Sequence, residues 1–285
     1  MRYEKIHLKD RFPVLGENGR DPVLEVYLQE AIREGAWNIS WQEKRPGLLV
    51  CPGGGYWACT RREAEPIVLN FLPEGFHGFI LTYSVGGDNH FPVQLREVAA
   101  VMELIHENAE AWCCDPARIA ISGFSAGGHL AAHYTNYYNC KEVRELFPES
   151  KKVAASLLCY PVITADPDYC HKGSITQLAG YFPVTEEDMP KFSCEYQVTK
   201  DTPPTFLWHT AEDTVVPVEN SLFYATALSK NKVSFECHIY PYGCHGRSTA
   251  DFQTCKEIEP GMEYLKDWLT AAKKWLRATF HMDNV

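Results

Sequence analysis

Residues 118–128 constrain the fold of this chain more than any other stretch. A short strand-like run, Arg118 to Ser122 (RIAIS), enters Gly123-Phe124-Ser125-Ala126-Gly127, and a helical pattern over Leu130 to Tyr138 follows. A serine bracketed by glycines between a strand and a helix has the outline of a nucleophile elbow. In such a turn the chain reverses so sharply that the serine takes a strained backbone conformation and bulky neighbours would clash. The turn lifts the hydroxyl above the sheet edge and aims the unpaired N–H groups of the next helix at developing negative charge. The plain alternative is an ordinary strand-to-helix turn with a solvent-facing serine. The strand–turn–helix context favours the elbow.

The rest of the chain supports that context. Apolar runs alternate with helical patterns, the signature of parallel β/α units. Gly47 to Cys51 (GLLVC), Phe76 to Tyr83, Val153 to Tyr160, Thr205 to His209 and Val233 to Tyr240 read as strands, with Val23 to Leu28 as an early one. Glu63 to Phe71, Gln94 to Asn108, Glu219 to Leu228 and Met262 to Ala278 read as helices. The spacing of Leu95, Val98, Val101, Met102 and Ile105 is that of an amphipathic helix. The first 45 or so residues are less regular. Residues 161–203 lose periodicity and are expected to form a cap inserted in a single domain spanning 1–285, because long irregular segments are more often functional than accidental. The fold class expected is α/β, a mostly parallel sheet flanked by helices.

A serine hydroxyl needs a base to become a nucleophile, and an elbow of this kind takes its partners in the order serine, acid, histidine. Of the histidines after Ser125, His209 and His238 fall within predicted strands, His171 in the irregular segment and His281 in the tail. His245, in Tyr242-Gly243-Cys244-His245-Gly246, follows the last predicted strand, where loops meet ligands above an open sheet. Asp213, in the turn after TFLWH, is the candidate acid that would fix the imidazole tautomer, with Glu212 as the alternative. An oxyanion needs donors already in place. The backbone N–H of Ala126 is one candidate. Gly54 and Gly55, in the glycine run after GLLVC, are the others, since glycine lets the backbone approach a ligand closely. Tyr56 and Trp57 are candidate pocket or sugar-stacking residues, against the plainer reading of core packing. Arg61, Arg62 and Glu63 read either as a surface ion pair or as a lock on the helix behind the glycine loop, with the structural role favoured.

Composition excludes several function classes. Acidic residues outnumber basic ones, 37 to 27, for a net charge of −10. No Lys/Arg cluster is long enough to displace counterions from a nucleic acid or to favour an anionic membrane. The N-terminal MRYEKIHLKDRF lacks the apolar core of a signal peptide, and no run is long enough to span a membrane, so a cytoplasmic protein is expected unless a leader lies upstream. The 11 cysteines form no C-x-x-C pair, so no metal is expected, and a serine–histidine–acid relay requires no cofactor.

PGGGY (52–56), RREAEP (61–66), YSV (83–85), HENAEAW (106–112), DPARIAISGFSAGGHLA (115–131), HTAEDTVVP (209–217) and CHG (244–246) together resemble bacterial α/β-hydrolase esterases of the acetylesterase and acetylxylan-esterase-like group, related to the hormone-sensitive-lipase type. The resemblance runs from about Pro46 to the C-terminus and is weakest over the insertion. It implies an α/β-hydrolase fold, a triad of Ser125, Asp213 and His245, and hydrolysis of short acyl esters, acetyl first, on xylo-oligosaccharides or other sugars. One departure is Pro52, which stands where the lipase-type motif has histidine. Alternatives are a small arylformamidase-like amidase and an inactive binding protein on the same scaffold. A homo-oligomer stays open.

Overall fold

The computed structural model describes residues 1–30, 44–257 and 262–282. Part of the less regular N-terminal stretch, 31–43, therefore lies outside the described residues. Eight strands form one sheet: β1 (Arg2–His7), β2 (Val23–Leu28), β3 (Arg45–Cys51), β4 (His77–Thr82), β5 (Cys114–Phe124), β6 (Ala155–Cys159), β7 (Thr205–Thr210) and β8 (Phe235–Tyr240). Their order is β1-β2-β4-β3-β5-β6-β7-β8. β1, β2 and β4 pair antiparallel, and every pairing from β4 to β8 is parallel. β6 and β7 are buried along their whole length, as expected of parallel strands covered on both faces, whereas the edge strand β8 is partly open.

Side chains alternate across the sheet and feed two cores. Leu49, Ile121 and Leu207 face one side, where the helices Val93–Glu107, Ala126–Tyr137 and Glu219–Lys230 bring Val98, Met102, Leu130 and Tyr224. Leu48, Val50, Ala120 and Trp208 face the other, against Ile67, Val68 and Phe71 of helix Glu65–Phe71 and Trp268, Ala272 and Leu276 of helix Asp267–Thr279. Trp208 and Trp268 stack at 5.0 Å. Burying each such side chain contributes roughly 1.5–3 kcal/mol. The helices clamp the sheet and leave the loops at the strands' C-terminal ends free to build a site.

Several elements differ from expectation for local reasons. The helix expected over Glu63 to Phe71 is broken at Ala64, whose backbone lies at φ −117°, ψ −99°; a short 3-10 turn precedes the break. β5 begins at Cys114 rather than Arg118, because Cys114 pairs with Arg45 before the register slips to Gly47 and Ile119. Helix Asp267–Thr279 starts five residues later than its apolar spacing suggests. The segment between β6 and β7 contains helices Lys172–Ala179 and Met189–Phe192.

Glu97, on helix Val93–Glu107, is fully buried beneath the loop that leaves β4. Its carboxyl group hydrogen-bonds the Ser84 N–H at 2.8 Å and the Ser84 hydroxyl at 2.5 Å, pinning that loop. Burial pushes its pKa up from 4.5 to about 7, against the pull of the two Ser84 hydrogen bonds. A raised carboxyl pKa means that the folded chain keeps a proton the unfolded chain has lost. Stability therefore falls as pH rises between those two values and is flat above the higher one. We predict that the thermal midpoint of wild type, relative to Glu97→Gln, declines from about pH 5 to about pH 7 and then runs parallel. Parallel curves throughout would contradict this.

Candidate active site

Ser125 lies between β5 and helix Ala126–Tyr137 at φ 54°, ψ −120°, a region non-glycine residues rarely occupy. The turn tolerates no bulk on either side. A Cβ on Gly123 would stand 2.1 Å from the Gly127 carbonyl oxygen, and one on Gly127 would stand 2.1 Å from that of Cys51. The serine is held from two directions, donating its N–H to the Cys159 carbonyl and accepting the Val162 N–H.

His245 is carried by the loop after β8, between Gly243 and Gly246, both with positive φ. Its Nε2 is 2.8 Å from Ser125 Oγ, across 120 residues of sequence, and its Nδ1 is 2.6 Å from Asp213 Oδ2. With Asp213 accepting the Nδ1–H, Nε2 presents its lone pair to the serine hydroxyl; the tautomer is assigned from these partners. Asp213, in the turn after β7, accepts the N–H groups of Val215 and Val216 on Oδ1, both at 2.9 Å. Its Oδ2 also lies 3.2 Å from His209 Nε2. Burial works to raise the Asp213 carboxyl, but hydrogen bonds from His209 and His245, the imidazole charge and the Val216 N–H outweigh it and hold it well below the usual carboxylate range. Glu212, the alternative acid, instead accepts the Gly243 N–H at 3.4 Å and steadies the histidine loop.

The glycine loop packs directly against the elbow: a Cβ on Gly53 would lie 2.9 Å from Ser125 Cβ. The Gly53 N–H is already donated to Glu63 Oε2 at 2.9 Å. Those of Gly54 and Gly55 donate to no protein acceptor among the described residues. Ala126 is the first residue of its helix, where an N–H has no intrahelical acceptor. Ala126 directly follows Ser125, and Gly54 and Gly55 follow the glycine that packs against it.

The two aromatic candidates part company. Tyr56 is fully buried, and its hydroxyl bonds His129 Nδ1 at 2.9 Å. The structure therefore gives it a core role rather than a ligand-facing one. Burial lowers His129 to about 4, so its ring is neutral and serves packing. Trp57 is 61% exposed on the same loop. His171 lies beside the glycine loop without a motif to mark it. Its Nδ1 accepts from the Ser174 hydroxyl at 2.7 Å, and its Cε1 sits 3.9 Å from where a Gly55 side chain would begin. His209 is likewise unmarked, because a strand histidine gives no sign of which loop its ring will meet. Among the described residues, no group of three or more His, Cys, Asp or Glu is placed to hold a metal, and no helix is long and apolar enough to cross a membrane.

The sheet order, the elbow and the convergence of Ser125, His245 and Asp213 above it define an α/β-hydrolase fold. The chain belongs to the BD-FAE family, whose model matches residues 39–228. It is 36% identical over 215 residues to endo-1,4-beta-xylanase B of Butyrivibrio fibrisolvens, covering 73% of this chain and 33% of that protein. It is 28% identical over 207 residues to an acetylxylan esterase of Xylanibacter ruminicola, covering 70% and 40%. The chain thus spans a third to two fifths of these curated relatives. A solved acetyl ester-xyloside bifunctional hydrolase from Caldicellulosiruptor lactoaceticus matches with a TM-score of 0.81 at 32% identity, over 96% of each chain. The chain is a member of a carboxylesterase- and acetylxylan-esterase-like hydrolase family.

The elbow's tight packing makes a direct prediction. Gly123→Ala forces a methyl group onto main-chain atoms and should destabilise the protein by about 3 kcal/mol or more in urea unfolding. A change below about 1 kcal/mol would mean that the turn relaxes freely.

Proposed function

We propose that this chain is a serine carboxylesterase that removes short acyl groups, acetyl above all, from acylated sugars such as xylo-oligosaccharides. The observation that carries the reading is the imidazole of His245 bridging Ser125 Oγ and Asp213 Oδ2 at hydrogen-bond distance on both nitrogens.

In this reading Ser125 Oγ attacks the ester carbonyl carbon while His245 Nε2 takes its proton. Asp213 holds the imidazole in the needed tautomer and stabilises its charged form. The N–H groups of Ala126 and of Gly54 or Gly55 receive the negative charge that forms on the carbonyl oxygen. The tetrahedral species collapses, His245 gives its proton to the leaving alcohol, and an acyl group stays on Ser125. His245 then activates a water that releases the acid and restores the serine. No cofactor enters these steps. Trp57 and His171, beside the glycine loop, would meet the alcohol half of the substrate, with the 161–203 segment as the cap that carries His171. An acetyl and xylan preference accords with the acetylxylan esterase and acetyl ester-xyloside hydrolase to which this chain is similar.

Ser125→Ala should lower p-nitrophenyl acetate turnover by at least about 10³-fold, and Asp213→Asn by about 10²–10⁴-fold. Turnover of aryl esters should fall as the acyl chain lengthens, and acetate should be released from acetylated xylo-oligosaccharides. Equal rates for wild type and Ser125→Ala would refute the mechanism. Acetate release from simple aryl esters alone would refute the sugar assignment.

A further inference from the structure

Glu63 is a buried carboxylate that the proton relay does not use. It is 2% exposed, and a carboxylate so placed persists only where hydrogen bonds replace its water. Its Oε2 accepts the Gly53 N–H at 2.9 Å and the Thr60 hydroxyl at 2.5 Å, and its Oε1 accepts the Tyr160 hydroxyl at 2.7 Å. The Tyr160 oxygen in turn accepts the Ser248 N–H at 2.9 Å, three residues past His245. Ser248 is fixed again by donating its hydroxyl to the Arg62 carbonyl at 2.6 Å. One carboxylate and one phenol thereby join three loops that leave three different strands: the glycine loop after β3, the turn after β6 and the histidine loop after β8.

The geometry at each end is close. A Cβ on Gly53 would come within 2.6 Å of Glu63 Oε2, so loop and carboxylate are in contact. The Tyr160 ring meets the His245 imidazole edge-on at 5.0 Å and is itself boxed by Phe124 and Trp208. Tyr160 sits at φ 37°, a conformation that survives only when its surroundings determine it. Burial, reinforced by the Glu63 charge, holds its phenol far above the ordinary value, so it remains a donor. A side chain retained for packing alone would need neither the charge nor the hydroxyl.

We infer that Glu63 and Tyr160 are positioning residues, acting as one linkage that keeps the Gly54–Gly55 amides and the His245 imidazole in register around the ester carbonyl bound at Ser125. The inference rests on the proposed ester hydrolysis by Ser125. Because catalytic geometry is steep, a loss of register of about 1 Å can cost about 10²-fold in rate.

The test is steady-state p-nitrophenyl acetate kinetics on wild type, Tyr160→Phe, Glu63→Gln, the double variant and Ser125→Ala, with thermal unfolding of each. Tyr160→Phe keeps the ring and its packing but removes the bridge. It should lower kcat about 10–100-fold and leave KM within about threefold. The double variant should be no slower than the slower single variant, because both changes break the same linkage. Wild-type kcat in Tyr160→Phe, or losses that multiply in the double variant, would overturn the inference while leaving Ser125 as the nucleophile. If Glu63→Gln does not fold, the kcat-against-KM split of Tyr160→Phe decides alone. A wild type no faster than Ser125→Ala would instead overturn the hydrolysis reading, and this inference with it.

Discussion

The close approach of the elbow to the end of β3 governs everything above the sheet. Gly127 lies so near the carbonyl groups of Cys51 and Pro52 that any side chain there would overlap main-chain atoms. That contact puts the start of helix Ala126–Tyr137 beside the glycine loop and sets Ser125 at a strained φ of 54°. The neighbouring strands must then run parallel, so that the loops bearing Asp213 and His245 emerge at the same edge as the serine. The antiparallel strands β1 and β2 extend the far side of the sheet and contribute none of the site residues.

Asp213 shows how the fold settles charge at this edge. Its carboxylate is buried, yet it receives two backbone N–H groups and two histidine nitrogens. His209 Nε2 lies 3.0 Å from the Val216 carbonyl oxygen as well as 3.2 Å from Asp213 Oδ2, and its Nδ1 meets the Ser221 hydroxyl, so its ring is fixed beside the acid. The acid therefore cannot turn away from His245 without leaving several donors unpaired, which is costly in a buried site. Glu212, one residue earlier, is spent on the Gly243 amide, so adjacent carboxylates hold the imidazole and the loop that carries it.

How much of this was legible in the sequence follows from how local each cause is. The elbow, the parallel β/α alternation and the strands β2 and β3 could be read because short-range apolar patterns and glycine positions determine them. Asp213 and His245 could be placed because each follows a recognisable strand in chain order. β1 carries no clear signal: half of its side chains are exposed and none is buried at this edge, so its apolar pattern is weak. The break at Ala64 was missed because Glu63 must turn inward to reach Gly53 and Tyr160, a tertiary demand that overrides helical spacing. Tyr56 and Trp57 are adjacent and equally aromatic, yet one points into the core and the other outward; the positive φ of Tyr56 that separates them leaves no mark in the sequence. The structural lock expected of Glu63 was legible, but its partner Tyr160, 97 residues away, was not.

The central claim is that Ser125 is a nucleophile activated by His245. Mass spectrometry after treatment with a fluorophosphonate tests it most directly, since the reagent phosphonylates a serine activated by a base far faster than an ordinary one. The account predicts one adduct, on the peptide carrying Ser125, and its loss in His245→Ala. An adduct on another serine, or undiminished labelling of Ser125 without the imidazole, would contradict it.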